Sequence, residues 1–156
     1  MDRPLVPHFH VGIVVPDLHA GMELLTDEIG VRWGPVLDMQ GAEVRDGAGG
    51  DQTLPLRICY SVDAPHLELI EEVPGSVWEC NEHSNLHHLG FWSGRMAEES
   101  ERLSGIGCPM QLAGRAGSQA PSQFAYHWSR LGLRIEVVDT ALRQVMESSM
   151  FAPPGS

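Results

Sequence analysis

PHFHVGIVVPDLHAGMELLTDEIG, residues 7 to 30, reads as a strand that feeds directly into an amphipathic helix. From Phe9 to Val15 the residues alternate between two faces. Phe9, Val11, Ile13 and Val15 make one apolar face, while His8, His10, Gly12 and Val14 make the other, so an imidazole sits in the middle of a hydrophobic strand. Pro16 and Asp17 break the strand, and Asp17 is placed to cap the helix that follows. Leu18, Met22, Leu25 and Ile29 fall at helical spacing, and Gly30 supplies the stop.

Working outward, residues 33 to 45 predict a strand interrupted by glycine, and DGAGGDQ a polar turn. LRICYSV, from Leu56, alternates as a half-buried strand, and HLELIEEV follows as another, ended by Pro74-Gly75. The second half repeats the order. LHHLGFW is a strand, GRMAEESERLSGIG a helix with Met96 and Leu103 on one stripe, PMQLAG a weak strand, and FAYHWSRL and LRIEVVD two more. TALRQVMESSM predicts a short helix and FAPPGS a frayed end, while EEVPGSVWECNEH reads as a solvated linker. The expectation is an α+β fold within residues 1–156, made of two tandem βαβββ modules at 8–75 and 86–140. Packed together, the modules would curl eight strands into an open, barrel-like cavity with the helices outside.

Strand parity then brings the chemistry together. In HLELIEEV, Glu68 points away from Leu67 and Leu69, and in LRIEVVD, Glu136 points away from Ile135 and Val137. In HHLGFW, His88 shares a face with Gly90 and Trp92, which leaves His87 pointing outward beneath a helix. So the opening strand of each half carries a histidine and the closing strand a glutamate. With helices on the apolar face, His10, Glu68, His88 and Glu136 all point into the cavity. A buried carboxylate is costly unless it is paired, hydrogen-bonded or metal-bound. Two carboxylates beside two imidazoles form a site for one divalent ion, nickel, cobalt, zinc, manganese or iron, with room left for water or substrate. Of Tyr126 and His127, one faces the cavity; Tyr126 would donate to a bound oxygen and Trp92 would wall the pocket. His83 and His66 read as surface or loop residues, His66 being the substitute ligand should Glu68 not serve.

HVGIVVPDL, HLELIEE, HHLGFW and LRIEVVD in a βαβββ repeat resemble the vicinal oxygen chelate superfamily over about residues 8 to 140. That group includes glyoxalase I, methylmalonyl-CoA epimerase, extradiol dioxygenases and bleomycin-resistance binding proteins. The resemblance implies that His10, Glu68, His88 and Glu136 stand where metal-binding members carry ligands. It further implies proton-transfer chemistry of an epimerase, isomerase or glyoxalase-like lyase, on a small carbonyl compound or CoA thioester, with Glu136 and Glu68 as the candidate catalytic base and acid. An extradiol dioxygenase needs only two histidines and one carboxylate and would leave Glu68 surplus, while binding-only members generally lack the ligand set.

Composition narrows the partners. At 156 residues and 42% hydrophobic content the chain can bury a core, and its formal net charge of −11 argues against nucleic acid and anionic membranes. All ten basic residues are arginine, which excludes Schiff-base catalysis and a lysine base. Cys59, Cys80 and Cys108 have no CxxC spacing and read as ordinary buried or half-buried thiols. No apolar run reaches a membrane span and no secretion signal is visible, so a cytoplasmic homodimer acting on a small molecule is the expectation.

Overall fold

A computed structural model describes residues 7–155. β1 (His8–Val15) runs through Pro16 and Asp17 into α1 (Leu18–Ile29), followed by β2 (Leu37–Asp46), β3 (Asp51–Tyr60) and β4 (His66–Glu71). β5 (Leu86–Ser93), α2 (Met96–Gly105), β6 (Met110–Gly114), β7 (Phe124–Trp128) and β8 (Arg134–Asp139) repeat that order. The tail coils through a 3₁₀ turn (Thr140–Leu142), α3 (Arg143–Val145) and a π turn (Met146–Met150). Asp17 caps α1 by accepting from the Ala20 amide at 2.8 Å, and Gly30 ends it at φ 72°. The buried stripe of α1 is narrower than its spacing suggests: Leu18 is fully buried and Met22 and Leu25 pack beside it, but Ile29 is 66% exposed.

The eight strands close into a barrel in the order β1-β4-β3-β2-β6-β7-β8-β5. β1 pairs with β4 and β5 with β8 in parallel, and every other pairing is antiparallel. The barrel-like cavity expected from sequence therefore has a sheet closed at both seams, β1 with β5 and β2 with β6. Closure satisfies backbone groups that an open sheet would leave at its edges. The buried and exposed positions of β1 match those of β5 residue for residue, and those of β4 match β8. Outside the barrel, Leu18 packs on Cys59 and Leu69, and Met96 and Leu103 pack on Val137. A larger apolar cluster fills the inside.

Two stretches differ from their sequence reading. The linker is not a solvated strap, because Trp78 is 1% exposed and packs in the interior cluster. Nor is the chain end frayed at Phe151, which is buried against the ring of Tyr60 and stacked on His66 at 3.9 Å. Both segments carry an aromatic side chain whose burial outweighs the polar character of its neighbours. His66 sits at this rim, with Nδ1 bonded to the Ser61 carbonyl at 2.8 Å, away from the central histidines. Cys59 and Cys108 are buried and Cys80 half-buried, all as free thiols.

Candidate metal centre

Two β-bulges organise the middle of the barrel. Where β1 meets β5, Phe9 is the extra residue of β1 opposite Gly90 and Phe91, and His87 is the extra residue of β5 opposite Gly12 and Ile13. Each bulge turns two neighbouring side chains to the same side, so Phe9 lies against the His10 ring at 4.3 Å and His87 against the His88 ring at 5.2 Å. His87 therefore does not point outward beneath a helix; it is 6% exposed and part of the interior. Simple alternation fails here because a bulge resets the parity by one residue.

Two glycines make the room. A Cβ on Gly12 would lie 2.0 Å from the His88 ring, and one on Gly90 would lie 1.9 Å from the His10 ring. Each strand thus seats the other strand's imidazole over a missing side chain. Gly90→Ala is expected to displace His10 or its strand, at a cost of about 1–3 kcal/mol for overpacking, measured by chemical denaturation.

His10, Glu68, His88 and Glu136 come together from β1, β4, β5 and β8 of a single chain, all buried, with ligand atoms within 4.8 Å of one another. The two imidazole Nε2 atoms lie 2.7 Å apart. Glu68 Oε2 is 3.2 Å from His10 Nε2 and 3.1 Å from His88 Nε2, and Glu136 Oε2 is 2.8 Å and 3.1 Å from them. Neither Oε2 atom takes an aligned hydrogen bond, and His10 Nδ1 is likewise buried without a partner. One Nε2–H cannot serve three acceptors, so the four lone pairs converge on a point that protons alone do not satisfy. A divalent cation satisfies them together, and the N₂O₂ donor set suits one. Without a cation the carboxylates favour charged imidazoles. Burial opposes that charge, but Glu136 and Glu68 outweigh it, lifting His88 to about 9 and raising His10 as well. Burial likewise favours neutral carboxyls, yet the two imidazoles hold both glutamates below their ordinary range.

The tautomer of His88 is fixed from behind. The Val77 carbonyl can only accept, so His87 Nε2–H donates to it at 2.7 Å. Burial, then the charges of His88 and Arg134, push His87 down to about 3 and keep it neutral. Its Nδ1 therefore carries a lone pair, which accepts from His88 Nδ1–H at 2.9 Å and leaves His88 Nε2 facing the carboxylates.

The chain matches a family model for the glyoxalase/bleomycin resistance protein/dioxygenase superfamily over residues 9–126. It belongs to that superfamily. No curated protein matches it by sequence. Among solved structures it is similar to a methylmalonyl-CoA epimerase in complex with methylmalonyl-CoA and NH4+, at TM-score 0.60 and 17% identity over 86% of this chain and 94% of that one. The methylmalonyl-CoA epimerase of Mycobacterium tuberculosis gives TM-score 0.58 and 19% identity over 89% and 91%. The 2,2',3-trihydroxybiphenyl 1,2-dioxygenase of Sphingomonas wittichii gives TM-score 0.50 and 14% identity over 85% of this chain and 41% of that one. These likenesses establish the vicinal oxygen chelate fold.

In this vicinal-oxygen-chelate barrel the quasi-symmetry breaks at two tyrosines. Tyr60 stands opposite Glu68 in the β3–β4 ladder, and Tyr126 stands opposite Glu136 in the β7–β8 ladder. The Tyr60 hydroxyl donates to Glu68 Oε1 at 2.8 Å. Tyr126 instead accepts from Trp78 Nε1–H at 3.1 Å, which leaves its own hydroxyl proton available. Burial, followed by the charge of the glutamates, holds both phenols well above their usual range, so both stay neutral donors. Glu68 is thus tethered, while the second oxygen of Glu136 takes no hydrogen bond from any described side chain. A cavity of about 530 Å³ opens beside them, lined by Glu68, Glu136, Tyr60, Tyr126 and Trp78 among others.

The remaining sequence expectations fall elsewhere. Trp92 does not line this cavity but stacks on Phe9 at 3.8 Å. His127 faces outward, bonded to the Ser100 hydroxyl at 2.8 Å and the Cys108 carbonyl at 2.9 Å, so Tyr126 is the cavity-facing member of that pair. Tyr60, Trp78 and His87 are site residues the sequence reading passed over. The visible signal was the shared spacing His10-Val11-Gly12 and His88-Leu89-Gly90, which couples each imidazole to a glycine two residues on.

Proposed function

We propose that this protein is a metal-dependent enzyme that moves a proton next to a carbonyl group, as an epimerase, isomerase or glyoxalase-like lyase. The observation that carries the reading is the convergence of donor atoms from the buried His10, Glu68, His88 and Glu136, of which the two carboxylate Oε2 atoms take no aligned hydrogen bond. These four residues would hold one divalent ion, which when bound supplies Lewis-acid stabilisation to an oxygen carrying developing negative charge.

The protein's own groups do the rest. Glu136 has an oxygen beside the cavity without a donor among the described residues, and accepts the proton from carbon. Glu68, held by Tyr60, is the second carboxylate of the site and would return a proton from the other side of the substrate. Tyr126, oriented by Trp78, donates to the substrate oxygen. Apolar walls exclude water from the exchange.

Metal content by mass spectrometry tests the reading on the wild type and on a His10→Ala/Glu136→Ala double variant. About one divalent ion per chain in the wild type, lost in the variant, is expected. No ion in either protein, after incubation with nickel, cobalt, manganese and zinc, would leave a polar cavity lining and favour small-molecule sequestration instead. The tautomer relay adds a second expectation. His87→Phe, which copies Phe9 at the matching position of β1, removes the acceptor behind His88. Zinc affinity, measured by competition with a chelating dye, is expected to weaken about 10–100-fold while the fold is kept.

A further inference from the structure

We infer that the substrate is a neutral molecule with an apolar body and its oxygens confined to one end, and that anionic and carrier-linked compounds are excluded. This rests on the reading above for the end that reacts, and goes beyond it for everything else the cavity holds. Its walls are Leu56, Ile58, Phe124, Val138, Met146 and Met150, drawn from three strands and the tail. Among the described lining residues, polar and charged side chains gather at two places. At the inner end are the two glutamates and two tyrosines. At the mouth, Glu43, Arg115 and Gln123 form a rim.

Arg115 is the one cation among the described lining residues, and it is already matched. Its guanidinium lies 3.0 Å from Glu43 and 3.6 Å from Asp51, and it also donates to the Gly117 carbonyl. Asp51 in turn is held by Arg45 at 2.7 Å. Two arginines and two carboxylates thus cancel at the mouth, while the inner end carries two further carboxylates. With the divalent ion of the reading above already neutralised by Glu68 and Glu136, and Arg115 matched by Glu43, a substrate carboxylate or phosphate would bring into a low-dielectric space a charge that no described lining residue compensates. The chain as a whole, at −11 with no lysine, offers no compensating field. Arg115 Nε–H is buried without an aligned acceptor, but the charge of its guanidinium is matched by Glu43 and Asp51, so the described mouth has no uncompensated cation for the phosphates of a CoA ester. The volume of about 530 Å³ lies within the roughly 300–1,000 Å³ of pockets that enclose small organic ligands. Methionines in the tail let the wall adapt to the shape of the apolar body.

Calorimetric titration of the wild-type protein, zinc-loaded and metal-free, tests this with matched probes. The neutral series is 1-hydroxy-2-alkanones of increasing chain length, and the anionic series is the 2-oxoalkanoates of the same carbon count, with propionyl-CoA as the carrier-linked probe. Affinity in the neutral series is expected to rise about fourfold per added methylene until the cavity is filled, the gain from burying one CH₂ group. Each hydroxyketone is expected to bind at least about tenfold tighter than its oxoalkanoate partner, the cost of one unpaired buried charge at its mildest. Oxoalkanoates that bind as well as hydroxyketones, a flat response to chain length, or propionyl-CoA binding tighter than the hydroxyketone of matching acyl length would each overturn the inference. Failure of the metal reading shows separately. A steep chain-length response in protein that takes up no zinc supports the apolar-ligand inference while removing the proton-transfer reading. Zinc binding with a flat response does the opposite.

Discussion

Glu136→Gln is expected to lower turnover by about 10²–10⁴-fold, the usual contribution of a positioned general base, while leaving the fold in place. The amide keeps the volume and the neighbours of the carboxylate, so the β8 ladder and the interior packing have no reason to move. What it loses is the ability to accept a proton. Glu136 is singled out over Glu68 by the hydroxyls around them: Tyr60 donates to Glu68, whereas Tyr126 is drawn to Trp78 and leaves the second Glu136 oxygen without a protein donor. Glu68→Gln is therefore expected to cost less in turnover than Glu136→Gln. The measurement is uptake of solvent deuterium at the carbon beside the carbonyl of a bound hydroxyketone, followed by NMR with metal content matched between variants. Near-normal exchange in Glu136→Gln removes Glu136 as the base. Equal losses in both variants would instead mean that Glu68 abstracts protons as readily as Glu136 and that the tether from Tyr60 does not separate their roles.

The roles of these residues were legible to different depths. Alternation with a period of two places Glu68 and Glu136 on the inner face of β4 and β8, because these strands are regular through the site and their apolar neighbours face the helices. The same rule finds His10 and His88. It fails at Phe9 and His87, because each is the extra residue of a bulge, and alternation assumes that every residue has an opposite number in the neighbouring strand. A bulge depends on how two strands meet, and that pairing is not written in either strand alone. The tether on Glu68 was out of reach for a related reason. Tyr60 reads as one residue of the apolar face of a half-buried strand, and its hydroxyl acquires a role only once β3 is laid against β4 with Tyr60 opposite Glu68. The tail was misjudged because Leu142, Met146 and Phe151 are spaced irregularly across three kinds of turn, so no single helical period collects them on one face.

Trp78→Ala is expected to be the most damaging single change to stability outside the metal site. The segment between the two halves reads as a solvated linker in sequence, yet its indole is 1% exposed, packs edge-on to Tyr126 with ring centres 6.2 Å apart, and lies 6.4 Å from the ring of Phe124. Removing a fully buried tryptophan costs about 3–5 kcal/mol, part lost burial and part the hole left behind. For a chain of this size each kcal/mol lowers the melting temperature by about 2–4 °C, so a fall of roughly ten degrees is expected in calorimetry. The substitution also frees the Tyr126 hydroxyl, which sits opposite Glu136 in the ladder just as Tyr60 sits opposite Glu68. Trp78→Phe separates the two effects. It keeps most of the ring packing and deletes only the Nε1–H donor, for which about 1 kcal/mol is expected. If Tyr126 then turns to Glu136, both carboxylates become tethered and deuterium exchange falls in a variant that is almost as stable as the wild type. Exchange at the wild-type rate in folded Trp78→Phe would mean that the hydrogen bond from the linker serves packing alone, and that Glu136 owes its freedom to something other than the tryptophan.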